Sequence, residues 1–284
     1  MAAAHRDRVV RAITDDNAFR VITLRSTDTV RGVLEAQAAV DRTAERCGEL
    51  VTGAVLVRET MAPDLRVQAI VKGASGSLVA DAHPNGLTRG LVNLSRDAGE
   101  LTLGAEGMLQ VVRTLPRGDV HQGVVEVKED RGIAHALTSY MQHSEQVVSV
   151  VGVACVVEGS LVRAAGGYIV QLLPEMETDA LERMTRRLEA IRPVAEAIVE
   201  YDADPDRLLS ELLDGIPFTR VNESPIHFGC TCDLARVVGA LATLGLEEIR
   251  ELVQQEEILD VGCDYCGKRY QVGPSQLRGL LQAS

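Results

Sequence analysis

The sequence predicts an α+β protein in three parts: a large N-terminal domain of sheet and helix over 1–174, a helical linker over 175–226, and a small cysteine-bearing module over 227–284. Three observations lead there. Between Ala18 and Leu173, stretches with two-residue apolar alternation recur between glycine and proline turns, with helix-spaced stretches among them. At Pro174 the character changes, and leucine and isoleucine then return every three or four residues. Finally, four of the six cysteines fall in two close pairs beyond residue 226.

In chain order, the first expected strand is Ala18–Arg25. From Thr29 to about Met61 the spacing of Val33, Leu34, Ala38 and Val40, then Leu50, Val51, Ala54 and Val55, is helical, and Gly48 is expected to divide it into two helices. Leu65, Val67, Ala69 and Val71 alternate with Arg66, Gln68, Ile70 and Lys72, which is strand spacing. Ser77–Ala82, Met108–Thr114 and Val120–Lys128 read the same way, with turns at Gly73, Gly76, Pro84-Asn-Gly86 and Pro116-Arg-Gly118. A helix over Ile133–His143 interrupts the strands. Two more follow, Gln146–Val157 and Leu161–Leu173, joined tightly at Glu158-Gly159. The first of these carries Val147, Val148, Val150, Val151 and Val153, a nearly continuous apolar run that predicts a central strand covered on both faces.

In the linker, Asp179 with Glu182 three residues on has the form of a capping box, and Leu181, Met184, Leu188, Ile191, Ala195 and Ile198 continue as an amphipathic helix. Pro193 falls inside that pattern, where a helix loses about 3 kcal/mol, so the linker is expected to be weak there. A second helix opens at Asp204-Pro205, a capping residue followed by proline in the first turn, and runs to Gly215.

Hydrophobic residues make up 46% of the 284, so a packed core is expected; with aromatics at 3% and no tryptophan, that core must be built from Val, Leu, Ile and Ala. The net charge of -12 disfavours nucleic acid and anionic membrane as partners. No apolar run is long enough for a transmembrane helix. The N-terminus, Met1-Ala-Ala-Ala-His-Arg-Asp-Arg8, lacks the apolar stretch of a secretory leader. A cytoplasmic location is therefore expected. Thiols are kept reduced there, so the cysteines read as metal ligands or redox groups before they read as structural disulfides.

Cys230-Thr-Cys232 places two sulfurs on the same side of an extended segment. Cys263-Asp-Tyr-Cys266 suits a tight turn, and the flanking Ile258-Leu-Asp-Val261 and Arg269-Tyr-Gln-Val272 make it the tip of a hairpin. Two helices, about Leu234–Leu244 and Leu246–Gln255, are expected between the pairs. Four thiolates with no spare ligand describe a closed, tetrahedral structural site for one Zn2+ per chain; it lacks the open position of hydrolytic zinc enzymes, and no catalytic residue and no enzyme activity are expected. A structural zinc contributes roughly 10–16 kcal/mol of apparent binding energy, against about 5–15 kcal/mol for the stability of a whole domain. A module this small should unfold without its metal, and oxidation of thiolates would destroy the ligands.

On these residues the chain resembles the redox-regulated 33-kDa heat-shock chaperone family of bacteria, over essentially its whole length. The family's Cys-x-Cys and Cys-x-x-Cys signature is matched by Cys230, Cys232, Cys263 and Cys266. The words around it also match: His227-Phe-Gly-Cys-Thr-Cys232, Leu244-Gly-Leu-Glu-Glu-Ile249 and Cys263-Asp-Tyr-Cys-Gly-Lys-Arg-Tyr270. Tyr140-Met-Gln-His-Ser-Glu-Gln146, Ala165-Gly-Gly-Tyr-Ile-Val-Gln-Leu-Leu-Pro174 and Leu212-Leu-Asp-Gly215 are similar to family segments as well. The resemblance implies an ATP-independent holdase that is inactive when reduced and zinc-bound. Oxidation would then pair Cys230 with Cys232 and Cys263 with Cys266, release zinc, unfold the linker and zinc module, and expose a surface for unfolded client proteins, with a homodimer favoured in the oxidised state. Asp233-Leu-Ala-Arg236 departs from the family's usual Ser-x-Glu-Arg-like stretch, which bears on the oxidation threshold and leaves the ligands unchanged.

The other candidates are weaker. Cys47, at a helix end, and Cys155, in an apolar strand, read as core residues. His227 lies near Cys230 but is not needed as a ligand, and His121, His135 and His143 show no metal spacing. Glu247, Glu248, Glu251, Glu256 and Glu257 read as a solvated helix face, and Gly73, Gly76 and Gly86 as turn glycines without a helix behind them to make a phosphate loop. An alternative function, a zinc-ribbon adaptor for RNA or ribosomes, calls for a basic module, whereas residues 227–284 carry five Lys/Arg against eight Asp/Glu. A thiol oxidoreductase would place one Cys-x-x-Cys at a helix N-terminus, not between strands.

Overall fold

Among the described residues, seven strands and two helices precede residue 127. In the computed structural model, which describes residues 7–115, 117–174 and 178–282, β1 (Arg8–Thr14) pairs antiparallel with β2 (Phe19–Arg25). Helices α1 (Thr27–Gln37) and α2 (Asp41–Glu59) follow. Next comes an antiparallel run of β3 (Arg66–Gly73), β4 (Gly76–Ala82), β5 (Leu87–Leu94), β6 (Met108–Thr114) and β7 (Val120–Glu126). Helix α3 (Gly132–His143) leads to the hairpin of β8 (Ser149–Glu158) and β9 (Leu161–Leu172). Three helices, α4 (Thr178–Ala190), α5 (Val194–Glu200) and α6 (Pro205–Leu212), precede β10 (Phe218–Pro225) and the short β11 (His227–Phe228). The rest forms α7 (Leu234–Leu241), α8 (Leu246–Gln254), β12 (Leu259–Gly262), β13 (Arg269–Val272) and α9 (Pro274–Gln282). The chain divides into two compact units, Met1–Phe228 and Gly229–Ser284, and the α+β expectation holds.

The first unit is layered. One sheet has the order β10-β1-β2-β9-β8 and the other β11-β5-β4-β3-β6-β7. Helix α2 lies between them, touching β3, β4 and β5 on one side and β2, β8 and β9 on the other. That position explains its composition: Leu50, Val51, Ala54, Val55, Leu56 and Val57 are buried all around the helix, so it has no solvent face. On the opposite face of the five-stranded sheet, α5 packs on β8 and β9, and α6 on β1, β2 and β9. Val10, Ala12, Val21, Tyr168 and Val170 of the strands form one apolar cluster there with Met184, Ala197, Leu208, Leu209 and Leu212 of the helices.

Several expectations need correction. Gly48 does not divide the helices. The break comes at Ala38, whose backbone is left-handed (φ 49°), and at Ala39 and Val40. Gly48 is interior to α2, and a Cβ there would lie 2.4 Å from the Cys155 sulfur, so the close approach of α2 to β8 accounts for a glycine at this position. The valine-rich strand β8 meets α2 and α3 on one face and α5 on the other, but Val148 before it and Val150 within it are exposed, and it is the edge of its sheet, not its centre. Pro193 is not inside a helix: α4 ends at Ala190 and Pro193 sits at the capping position of α5, so its ring obstructs no helical hydrogen bond and the expected penalty is avoided. Asp179 lies within the first turn of α4, and the capping position before Thr178 falls outside the described residues. Of the turn expected at Pro116-Arg-Gly118, Pro116 is outside the described residues, while Gly118 adopts φ 90°. Residues 1–6 of the polar N-terminal stretch are outside them too. Asp204 caps α6 as expected, accepting from the backbone N–H groups of Asp206 and Arg207. Strands β1, β5, β10 and β11 and helix α9 were not foreseen. Among the described residues no helix is long and apolar enough to cross a membrane.

Candidate metal centre

The second unit has little to hold it together. Its core is Val237, Val272 and Leu277, with partly buried Val238, Leu241, Leu252, Leu259, Tyr270 and Leu280 around them. Into this frame two local structures deliver the cysteines. Cys230 and Cys232 lie on an extended arm that ends at Asp233, whose carboxylate accepts from the Arg236 N–H at 2.8 Å and so starts α7. Cys263 and Cys266 sit at the tip between β12 and β13, where Gly262 pairs with Arg269. There the Cys263 N–H donates to the Lys268 carbonyl at 2.9 Å and the Gly267 N–H to the Cys263 carbonyl at 2.8 Å. Gly267 takes φ 70°, a conformation that glycine adopts without strain.

The four sulfurs predicted as ligands thus converge. They lie within 4.8 Å of one another, with 3.7 Å between Cys230 and Cys263 and 3.4 Å between Cys232 and Cys266. A tetrahedron with zinc–sulfur bonds of about 2.3 Å has edges of about 3.8 Å, so the group can close on such an ion with small adjustment. No imidazole or carboxylate belongs to the cluster among the described residues. His227 is part of β11 in the first unit, paired with Leu87. The donor set is soft and anionic when ionised, which suits zinc and gives no open coordination position.

Full ionisation of this cluster would need a cation beside it. Burial resists ionisation of Cys232, but hydrogen bonds from the Tyr270 hydroxyl and the neighbouring thiols outweigh it and hold that thiol down to about 7. Burial together with the adjacent sulfurs pushes Cys266 up to about 12, and Cys263 is raised as well. One proton leaves readily; later ones would put further negative charge within 4.8 Å of the first unless a metal ion neutralised it. Sequence reasoning missed Tyr270. Its hydroxyl reaches the Cys232 carbonyl oxygen at 2.9 Å and the Cys232 sulfur at 3.2 Å. The only available signal was a hydroxyl-bearing aromatic four residues past the last cysteine. By contrast, Cys47 and Cys155 are buried in the first unit, and burial pushes the Cys47 thiol up to about 12 and Cys155 up as well, so both are inert.

In the first unit, polar contacts fix the helical layer to the sheet beneath it. The Thr23 hydroxyl donates to the Pro205 carbonyl at 2.8 Å, and Arg25 Nε donates to the Asp202 carbonyl at 3.0 Å. Within the layer, Arg187 Nε donates to the Glu211 carbonyl at 2.9 Å, while Arg192 reaches the Glu211 carboxylate at 2.9 Å and the Tyr201 hydroxyl at 2.8 Å. These bonds join α4, α5 and α6 through Glu211.

Comparison with known proteins fits both units. Residues 7–273 match the sequence profile of the family described as Hsp33 protein. A 33 kDa chaperonin of Syntrophotalea carbinolica is 30% identical, over 97% of this chain and 99% of its own. A 33 kDa chaperonin of Geobacter sulfurreducens is 31% identical, over 96% and 94%. The crystal structure of the 33 kDa chaperonin from Thermotoga maritima has the same fold, with a TM-score of 0.84 and 23% identity over 98% of this chain and 99% of that one.

Proposed function

Because the chain belongs to the Hsp33 family of chaperones, we propose that it is a redox-regulated, ATP-independent holdase for unfolding proteins. Cys230, Cys232, Cys263 and Cys266 hold one Zn2+ in the resting state, and the convergence of these four sulfurs within 4.8 Å is the observation that carries the reading. Under peroxide, each pair of thiolates gives up two electrons to one molecule of oxidant. One thiolate sulfur takes an oxygen from peroxide and releases hydroxide, and its neighbour then displaces a second hydroxide to form the disulfide. Pairing within each motif, Cys230 with Cys232 and Cys263 with Cys266, follows from the sequence resemblance. Both pairs oxidised consume two peroxides and leave no ligand for the ion, which departs.

The second unit then loses the interaction that its few buried residues cannot replace. The segment 175–226 follows it into disorder. Its departure uncovers the apolar face of the five-stranded sheet at Val10, Ala12, Val21, Tyr168 and Val170, and frees the leucines of α6. Surface of this kind binds unfolded clients and favours a homodimer of the oxidised chain. A cytoplasmic setting, where thiols rest reduced, goes with such a switch. The test is to treat zinc-loaded protein with peroxide and follow zinc release together with aggregation of a thermally unfolding client. Zinc release with suppression of aggregation only after oxidation is expected. Equal suppression by the reduced form, or retention of zinc under strong oxidant, overturns the proposal.

A further inference from the structure

The two cysteine pairs are not supported alike. Around Cys263 and Cys266 the donors are backbone N–H groups of the hairpin tip, from Tyr265, Cys266 and Lys268. Cys232 instead receives a side-chain hydroxyl, that of Tyr270, which lies 3.2 Å from its sulfur and 2.9 Å from its carbonyl oxygen. Tyr270 stands on β13, the strand leaving the Cys263–Cys266 tip, whereas Cys232 lies on the separate arm before α7. The contact therefore joins the two halves of the cluster without passing through a metal ion. The Tyr270 ring is held from both sides of its chemistry: the strand pairs it with Val261, and the Lys268 ammonium lies 5.1 Å from its centroid, which favours an electron-rich face toward the cation.

We propose that Tyr270 is a positioning residue for the cysteine cluster: its hydroxyl fixes the Cys232 arm against the hairpin and stabilises the Cys232 thiolate, thereby setting how tightly the site holds zinc and how fast the first ligand lets go. The physical reason is that the same O–H dipole serves two acceptors on one residue. It restrains the arm at the backbone and withdraws electron density from the sulfur. A sulfur so restrained is an ordered ligand when the ion is bound and a slower one to leave it. The inference rests on the zinc-site reading above but not on the chaperone switch.

The decisive variant is Tyr270→Phe, which keeps the ring and removes the hydroxyl. Loss of such a supporting hydrogen bond typically costs about 10- to 100-fold in metal affinity, and a fall of that size is expected in a zinc competition titration of the full-length reduced protein. Transfer of zinc to a chromogenic chelator without oxidant should accelerate correspondingly. In the cobalt-substituted protein the thiolate-to-metal charge-transfer band should move to lower energy, because a thiolate freed of its donor releases an electron more easily; a merely structural role would leave that band in place. Arg269→Gln, next on the same strand but bonded to Asp260 at 2.8 Å and not to a sulfur, should leave all three measurements unchanged. Zinc affinity, transfer rate and band position within twofold or unshifted in Tyr270→Phe would overturn the proposal. Failure of every chain, wild type included, to bind cobalt or zinc would instead overturn the zinc site itself, and holdase activity independent of oxidation would leave the Tyr270 result standing.

Discussion

Glu49 shows how much one side chain can reveal about the core. It lies on α2, the helix between the sheets, and burial, reinforced by the nearby Glu45, pushes its carboxyl up to about 7 against the opposing pull of Arg46 and Arg42. A carboxyl whose folded value lies above its unfolded value binds more protons in the native state than in the unfolded one. Stability therefore falls as pH rises from the ordinary glutamate range through about 7. Glu49→Gln should raise the thermal stability of the first unit by on the order of 2 kcal/mol at about pH 8 and leave it nearly unchanged at about pH 4. An equal effect at both values would refute the assignment, and melting followed at the two pH values decides it. Cysteine reactivity gives a second prediction at this scale. After zinc removal under native conditions, a thiol-alkylating reagent should modify Cys230, Cys232, Cys263 and Cys266 and spare Cys47 and Cys155, because the last two are buried with raised thiols; mass spectrometry of the labelled peptides measures it. Their core role was legible from apolar neighbours alone. The packing of Cys155 against Gly48 was not, because the contact joins residues more than a hundred positions apart and glycine in a sequence signals a break more often than a close approach.

At the scale of elements, the sequence was informative wherever one face of an element is buried and the other is wet. Alternation found β3, β4 and β6, and the Asp204-Pro205 cap found the start of α6. It failed where burial has another pattern. Strand β10, Phe218–Pro225, is an exposed edge strand dominated by polar residues, and it becomes a strand only because β1 supplies its hydrogen-bonding partner. The proline at 193 was misplaced for a related reason: apolar periodicity continues across the joint between α4 and α5, since both helices pack on one surface, and the pattern does not register that the axis has turned. The polar ties of this layer converge on a few residues: Arg8 reaches Asp204 and Asp206, Arg25 reaches Asp202, and α6 is joined to the preceding helices through Glu211. Glu211 is the shared partner of Arg187 and Arg192, and its second carboxylate oxygen is buried without a hydrogen bond. Glu211→Ala removes the Arg192 contact and keeps the Arg187 bond, which is to the Glu211 main-chain carbonyl, so amide exchange should quicken across 191–213, where Arg192 meets α6, and stay slow across 47–57 in the sandwiched α2. Uniform change in both segments, or none, would show that Glu211 does not join the layer.

For the whole molecule, the division at Phe228 and Gly229 separates a unit with two packed sheets from one whose buried apolar residues, among those described, are Val237, Ile249, Val272 and Leu277. The four cysteines of the latter were readable from sequence because ligand spacing is local: each pair is fixed by an extended arm or a hairpin tip of a few residues. Tyr270 escaped notice because its partner is 38 residues away. The difference in core size predicts the outcome of metal removal. A binding energy of roughly 10–16 kcal/mol exceeds what so small a core can provide, whereas the first unit draws on a continuous cluster from Val9 to Ile226 and needs no ion. Chelation under reducing conditions should therefore unfold residues 229–284 and release the 175–226 segment with them, while β1–β9 persist. Limited proteolysis of the chelated protein should leave a stable fragment ending near Leu173, and readdition of zinc before the protease should abolish the cut. Cleavage spread through the strands of both sheets would mean that the ion stabilises the entire chain. Persistence of the intact chain would mean that the small core suffices alone, and oxidation of its thiolates would then have no unfolding to trigger.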